Sequence, residues 1–198
     1  MIVDSRSGDV APPGFESLDN LAAPITWRLG TPDDALCVGV LGLQVFLDTY
    51  AIFGVRPGLA REALESFSTA ATADLLSRPG TVVVLAERTG HLLGFAQFHL
   101  DKAHDQVPAD RAGPRPAELR RLYVQERATG QGLGRALLAR GEAAVRDRGA
   151  TSVWLTAYVG NARALAFYPR CGYDDLGVTT YTFQAETYEN RLFGRALR

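Results

Sequence analysis

Three glycines, Gly130, Gly132 and Gly134, fall within five positions of RATGQGLGRALL (residues 127–138), and strong helix formers follow at once. Such a segment either turns a strand into a helix in little space or bares backbone amides toward an anion. The first turn of a helix carries N–H groups without intrahelical partners, and the helix dipole adds partial positive charge there. Glycine lets a ligand approach that backbone, so a pyrophosphate suits the place. Two nucleotide-binding signatures do not fit. A dinucleotide-binding G-x-G-x-x-G sits tight against a strand end, whereas QERAT separates Val124 from Gly130 and the third glycine comes one position early. A P-loop requires Gly-Lys-Ser/Thr, and Gly134 is followed by Arg135 and Ala136.

A second group of candidates lies in NARALAFYPRCGY (residues 161–173). Together the two stretches resemble the GNAT superfamily of N-acetyltransferases. TGQGLG (129–134) is similar to the family's motif A, R/Q-x-x-G-x-G/A, with Gly132 and Gly134 in register and Thr129 where the family usually has Arg or Gln. The later stretch is similar to motif B, Asn-x-x-Ala-x-x-Phe-Tyr leading to Gly-Phe/Tyr, with Asn161, Ala164, Phe167, Tyr168, Gly172 and Tyr173 in register. RLGTPDDA and VFLDTY resemble the family's first strand and helix, and the C-terminal segment its final strand pair, so the resemblance covers roughly residues 25 to 197. ELRRLYV is similar to the matching segment of polyamine-type and other small-amine acetyltransferases.

The resemblance implies transfer of acetyl from acetyl-CoA to an amine, directly, in a ternary complex. A lysine-like amine has a pKa of about 10.4, so near pH 7 one molecule in ~2,500 is the neutral nucleophile, and neutralising it costs ~4–5 kcal/mol. A positioned base eases that step, and a phenol can share a proton with the departing thiolate. By resemblance, Tyr168 is the proton donor to the sulfur; read without it, Tyr168 is a core ring with a wet hydroxyl. Pro169, directly after it, removes a donor and is expected to end or kink the helix there. Glu118 corresponds to an acidic strand position that serves as base in some members, or is a surface carboxylate paired with Arg120 or Arg121. Strict alternation along residues 117–124 puts Glu118 and Leu122 on one side, with Leu119, Arg121 and Tyr123 on the other. The position used by other members is Thr156, which cannot act as a base.

For the cofactor, the resemblance assigns backbone of Leu122, Tyr123 and Val124 to the pantetheine, and Thr129, Gly130, Gln131, Gly132, Leu133, Gly134 and Arg135 to the phosphates. Arg127 is a further candidate beside them. Asn161 contacts the pantetheine arm in the family and is also a good helix N-cap. The acceptor implied is a small-molecule primary amine such as a polyamine, with a protein N-terminus or lysine as the alternative. A module that binds acyl-CoA without catalysis is the rival from another class. Tyr50, Phe53, Asp48 and residues 102–116 are candidates for the acceptor pocket.

These residues need elements to hold them. The 198 residues are 46% hydrophobic and 22% charged, ordinary globular composition for one domain. A leader over 1–24 rich in Pro, Gly, Ser and Asp is expected to be mobile, with a single domain over 25–198. A strand at 25–29 precedes a helix over 31–50, which Thr31 caps and whose stripe is Leu36, Val40, Leu43 and Leu47. A second helical stretch runs from about 59 to 76, and TVVVLAERTGHLLGFAQFHL reads as a hairpin turning at Thr89-Gly90. Residues 102–116 form an exposed loop. Strand 117–124, a helix to Gly149 and strand 151–159 form a right-handed βαβ unit with parallel strands. Its helix has a core stripe of Leu133, Leu137, Ala144 and Val145, with Gly141 allowing close contact with the sheet. A short helix at 161–168 and strands within 173–183 and about 188–197 complete the chain.

The fold expected is α/β (mixed α+β): a GNAT-like, mostly antiparallel sheet of about six or seven strands with one parallel pair, flanked by about four helices. A net charge of −1 gives no global field for nucleic acid or an anionic membrane. No apolar run is long enough to span a bilayer. Cys37 and Cys171 are too far apart in sequence for a metal motif and read as reduced thiols, and no metal site is expected. A cytoplasmic location and a possible homodimer are the remaining expectations.

Overall fold

The computed structural model describes residues 22–183 and 186–197. The leader expected over 1–24 lies, up to residue 21, outside the described residues. Strand β1 (Thr26–Leu29) leads through a 3-10 turn, Pro32–Asp34, into helix α1 (Ala35–Tyr50). The Thr31 amide donates to Asp34 Oδ2 at 2.8 Å, and Arg28 bridges Asp34 and Glu87, tying the helix start to the sheet edge. Helices α2 (Pro57–Ser66) and α3 (Thr69–Ser77) follow, then β2 (Thr81–Arg88) and β3 (His91–His99). A single-turn helix α4 (Ala109–Ala112) precedes β4 (Pro116–Val124), α5 (Leu133–Asp147), β5 (Ser152–Tyr158) and α6 (Ala162–Arg170). Strands β6 (Asp174–Phe183) and β7 (Glu186–Ala196) come last.

The seven strands form one sheet in the order β1-β2-β3-β4-β5-β7-β6, antiparallel throughout except for β4 and β5. Six α-helices, among the described residues, flank it rather than about four. The second helical stretch breaks at Phe67-Ser68, where Ser68 caps α3 by accepting from Ala71, and the exposed loop holds the one-turn α4.

Each face of the sheet has its own core. On one face α5 sets Leu133, Leu137, Leu138 and Val145 against Val84, Ala96, Phe98, Leu119 and Val153. Gly141 brings α5 so close that an added Cβ would stand 2.0 Å from the Phe98 ring, the close contact expected of it. On the other face Val38 and Leu41 of α1 pack on Val83, Leu85 and Phe95. This corrects the stripe read from the sequence, since Leu36 and Val40 are 61% and 62% exposed. Periodicity fixes that a helix has an apolar side. Here Phe67 and α3, pressed along Gly39 and Gly42, choose which side is buried.

Among the described residues no helix is long and apolar enough to cross a membrane, and no three His, Cys, Asp or Glu side chains gather as metal ligands would.

Candidate active site

β4 and β5 are hydrogen-bonded only over Pro116–Glu118 and Ser152–Trp154, and beyond that they part. The β5-facing edge of β4 from Leu119 to Val124 is therefore unpaired by strand bonds, while β3 holds its other edge as far as Val124. Leu122, Tyr123 and Val124 all lie on this stretch.

A β-bulge interrupts the β3–β4 ladder. Gln97 pairs with Arg121 and Phe98 with Leu119, so Arg120 is the extra residue. One inserted residue reverses the inside–outside alternation. Ala117 and Leu119 before the bulge, and Leu122 and Val124 after it, all face the α5 core. Glu118, paired with His99, therefore shares the opposite face with Arg121 and Tyr123, not with Leu122 as strict alternation requires. The side chain of Glu118 is 16% exposed and accepts from Arg120 Nη1 at 3.3 Å.

Around the bulge runs a polar network with aromatic walls. Arg121 Nη1 donates to Gln97 Oε1 at 2.9 Å, and its guanidinium lies 4.7 Å from the Phe67 ring centre. That bond turns the Gln97 amide nitrogen toward His99 Nε2, 2.6 Å away, so His99 accepts there and carries its proton on Nδ1. Burial holds His99 below its ordinary pKa. Tyr123 packs edge-on against Phe95, and burial pushes its phenol up to about 12. Arg120 also reaches Tyr181 of β6, and Tyr50 at the end of α1 lies within the fields of Tyr181, Arg120 and Arg121.

The glycine loop stands at the mouth of the parted strands. A 3-10 turn, Glu126–Ala128, ends at Thr129, whose hydroxyl donates to Glu126 O at 2.7 Å. Gly130 and Gly132 have φ of +76° and +81°, a left-handed backbone that strains any other L-residue, and Gly132 is the N-cap of α5. A Cβ at either position would meet nothing within 4 Å. The space beside both glycines is therefore open, and it adjoins the first turn of α5, whose amides have no intrahelical partners. Leu133 is buried in the core, Gly134 faces the Phe167 ring, and Gln131 and Arg135 are exposed. Arg88, at the end of β2, donates from Nη2 to Gln131 Oε1 at 3.2 Å, and its Nε is buried with no partner among the described residues.

Helix α6 brings Asn161 and Tyr168 to the same region. Asn161 Oδ1 accepts from the Ala164 amide at 3.0 Å, so Asn161 is the N-cap. Pro169 does not end α6 at Tyr168; the helix continues through it to Arg170. Gly172, with φ +85°, closes it, and the Tyr173 amide bonds back to Tyr168 O at 3.1 Å. Those end bonds and packing of Tyr168 on Phe167, Tyr173 and Phe193 outweigh the one donor that proline lacks. Tyr168 is 9% exposed, and burial raises its phenol pKa strongly, with Tyr50 and Tyr123 adding to the effect. It is thus held protonated, as a donor must be. Cys171 beside it is half-buried, and burial pushes its thiol up.

Glu118 and residues 122–124 thus lie along β4, the glycine loop follows β4 into α5, and α6 sets Phe167 beside Gly134 with Tyr168 next to it. Asp101, just before the loop proposed for the acceptor, is engaged by Arg115 through two 3.0 Å bonds, and the candidate Phe53 is fully exposed. Sequence reasoning missed Arg88, which a hairpin carries to the loop from 43 positions away, and Arg121 with Gln97 and His99. The only local hint of the latter was the doubled arginine beside Glu118.

Parted parallel strands, an open glycine turn and a buried phenol define a group-transfer enzyme of the acetyltransferase type. Residues 46–173 match the acetyltransferase (GNAT) family, and the chain belongs to it. It is 30% identical over 161 residues to an aminoglycoside N(6')-acetyltransferase type 1 of Stenotrophomonas maltophilia, covering 81% of this chain and 94% of that protein. A mycothiol acetyltransferase of Parafrankia is 39% identical over 99 residues, 45% of this chain and 30% of that one. The crystal structure of the PaiA N-acetyltransferase from Thermoplasma acidophilum with coenzyme A superposes with a TM-score of 0.63 at 18% identity, over 85% of this chain and 98% of that chain. At that identity the likeness is one of fold.

Proposed function

We propose that this chain transfers the acetyl group of acetyl-CoA directly to a primary amine of a small molecule, both substrates being bound together. The observation that carries this reading is the open turn at Gly130 and Gly132 set at the mouth of the unpaired edge of β4. The names of the aminoglycoside and mycothiol relatives support a small-molecule acceptor.

Bound acetyl-CoA supplies an activated thioester. The amides of residues 130 to 134 hold its diphosphate, with Gln131, Arg135 and Arg88 around it, and Thr129 fixes the turn through its own hydrogen bond. Strand groups of Leu122, Tyr123 and Val124 pair with the pantetheine amides as another strand would. Asn161 keeps α6 in place as its cap and borders the same arm. Glu118 takes the proton of the attacking amine, and Tyr168 gives one to the leaving sulfur. Cys171 stays a neutral thiol, which favours direct transfer over an acyl-enzyme.

The polyamine expected from ELRRLYV fits less well than a less basic amine. A polycation would meet Arg120 and Arg121 on the acceptor side of the bulge, and Asp101 is already committed to Arg115. The test is thiol release from acetyl-CoA with a panel of small primary amines. Thermal stabilisation by CoA without turnover of any amine would overturn catalysis and leave only binding.

A further inference from the structure

We propose that the accepted amine also carries an anionic group, a carboxylate or phosphate, and that a basic cavity at the foot of β4 holds it. This rests on the acetyl-transfer reading above. The cavity has a volume of about 390 Å³ and is lined by Arg78, Thr81, His99, Lys102, Glu118 and Arg120 among others. These come from separate places in the chain: the residue capping α3, the start of β2, the end of β3 and its following turn, and β4 just before and at its bulge. Three cations converge on one small volume, which helical periodicity alone would not produce.

Their existing partners leave positive charge over. Arg78 pairs with Asp74 one turn back on its own helix, and both side chains are exposed. Arg120 shares Glu118 at 3.3 Å. Lys102 makes no ion pair among the described residues, and its neighbour Asp101 is turned to Arg115. Three cations thus face two carboxylates, with His99 neutral through its bond from Gln97. The planar fork of arginine suits the paired oxygens of a carboxylate or phosphate.

The cavity adjoins the chemistry. Glu118 and Arg120 belong to both, and Arg120 reaches on to Tyr181, whose neighbour Tyr50 shares its field with Tyr168. An anion beside Arg120 and Lys102 would leave the amine of the same molecule near Glu118. The same cations repel a polyamine or another polycation, so the cavity selects by repulsion as well as attraction.

The experiment uses the whole chain loaded with CoA, and measures binding of four probes by calorimetry: O-phosphoethanolamine, 4-aminobutyrate, ethanolamine and putrescine. Thiol release from acetyl-CoA is followed with the same four. At least one anion-bearing amine is expected to bind and react ten-fold or more better than ethanolamine or putrescine. Lys102→Gln and Arg120→Gln, both at exposed side chains, should each weaken that binding by about 10- to 100-fold. Thermal stabilisation by CoA should be unchanged in both variants. Equal or better binding of ethanolamine or putrescine, binding of neither anionic probe, or anion binding indifferent to both substitutions would overturn the proposal. Failure of the transfer reading looks different: no amine releases thiol, with or without stabilisation by CoA, whatever the anionic probes do.

Discussion

Arg88 Nη2 lies 3.2 Å from Gln131 Oε1, so the β2–β3 hairpin is tied directly to the glycine turn that opens α5. The second guanidinium nitrogen, Nε, is buried beside it without a partner among the described residues. In the proposed reading this cation adds to the diphosphate site, and no local sequence pattern announces it.

Arg88→Ala should raise the KM for acetyl-CoA about 10-fold and leave kcat nearly unchanged. On the proposed reading Arg88 would meet the phosphates, away from the reacting thioester, and would act equally in the ground state and the transition state. Steady-state kinetics with acetyl-CoA varied would check it; a fall in kcat with KM unmoved would contradict this placement.

Tyr168→Phe should lower kcat by ~100-fold while the KM for acetyl-CoA changes little, because a general acid acts at the transition state. The hydroxyl has no hydrogen-bond partner among the described residues, and the ring packing on Phe193 and Tyr173 is kept, so the melting temperature should hold. A variant with unimpaired turnover would remove Tyr168 from the chemistry.

Gly132→Ala should cost ~1–2 kcal/mol from the left-handed φ of +81° alone, since its Cβ meets no atom within 4 Å. The melting temperature should fall by roughly 2–8 °C. Stabilisation by CoA should fall too, as the methyl would occupy the open space proposed for the diphosphate. Thermal melts with and without CoA separate the two effects.

His99 links stability to pH. Burial lowers its folded-state pKa below the ordinary 6.5, helped by Arg120, Lys102 and Arg121 and opposed by Glu118. The unfolded chain then binds more protons, so this contribution is complete above pH 6.5 and is lost as pH falls below it. Denaturant midpoints should drop between pH 7.5 and 5.5 in the natural chain. In His99→Gln, which keeps a side-chain acceptor for Gln97, the drop should shrink; an identical pH dependence in the two proteins would rule the link out.

Much of this molecule was legible one segment at a time. The turn at Gly130 and Gly132, the helix it opens, the cap at Asn161 and the hairpin at Thr89-Gly90 all follow from residues within a few positions of one another. Such features depend on local backbone preference, which a short stretch carries entire. The parallel pairing of β4 and β5 also followed, because a strand–helix–strand unit has one favoured hand.

What the sequence by itself determined was therefore which elements form and where the motif residues stand along them. The tertiary structure alone decided which way they face and whom they meet. The bulge at Arg120 exists only as a mismatch with β3, and it is what turns Glu118 toward His99 and away from Leu122. The exposed Leu36 and Val40, the bond from Arg88 to Gln131, and the meeting of Arg78, Lys102 and Arg120 likewise depend on segments distant in sequence. Periodicity gives each element an apolar side, but register and packing between elements fix the direction of each side chain, and a single inserted residue is enough to reverse it.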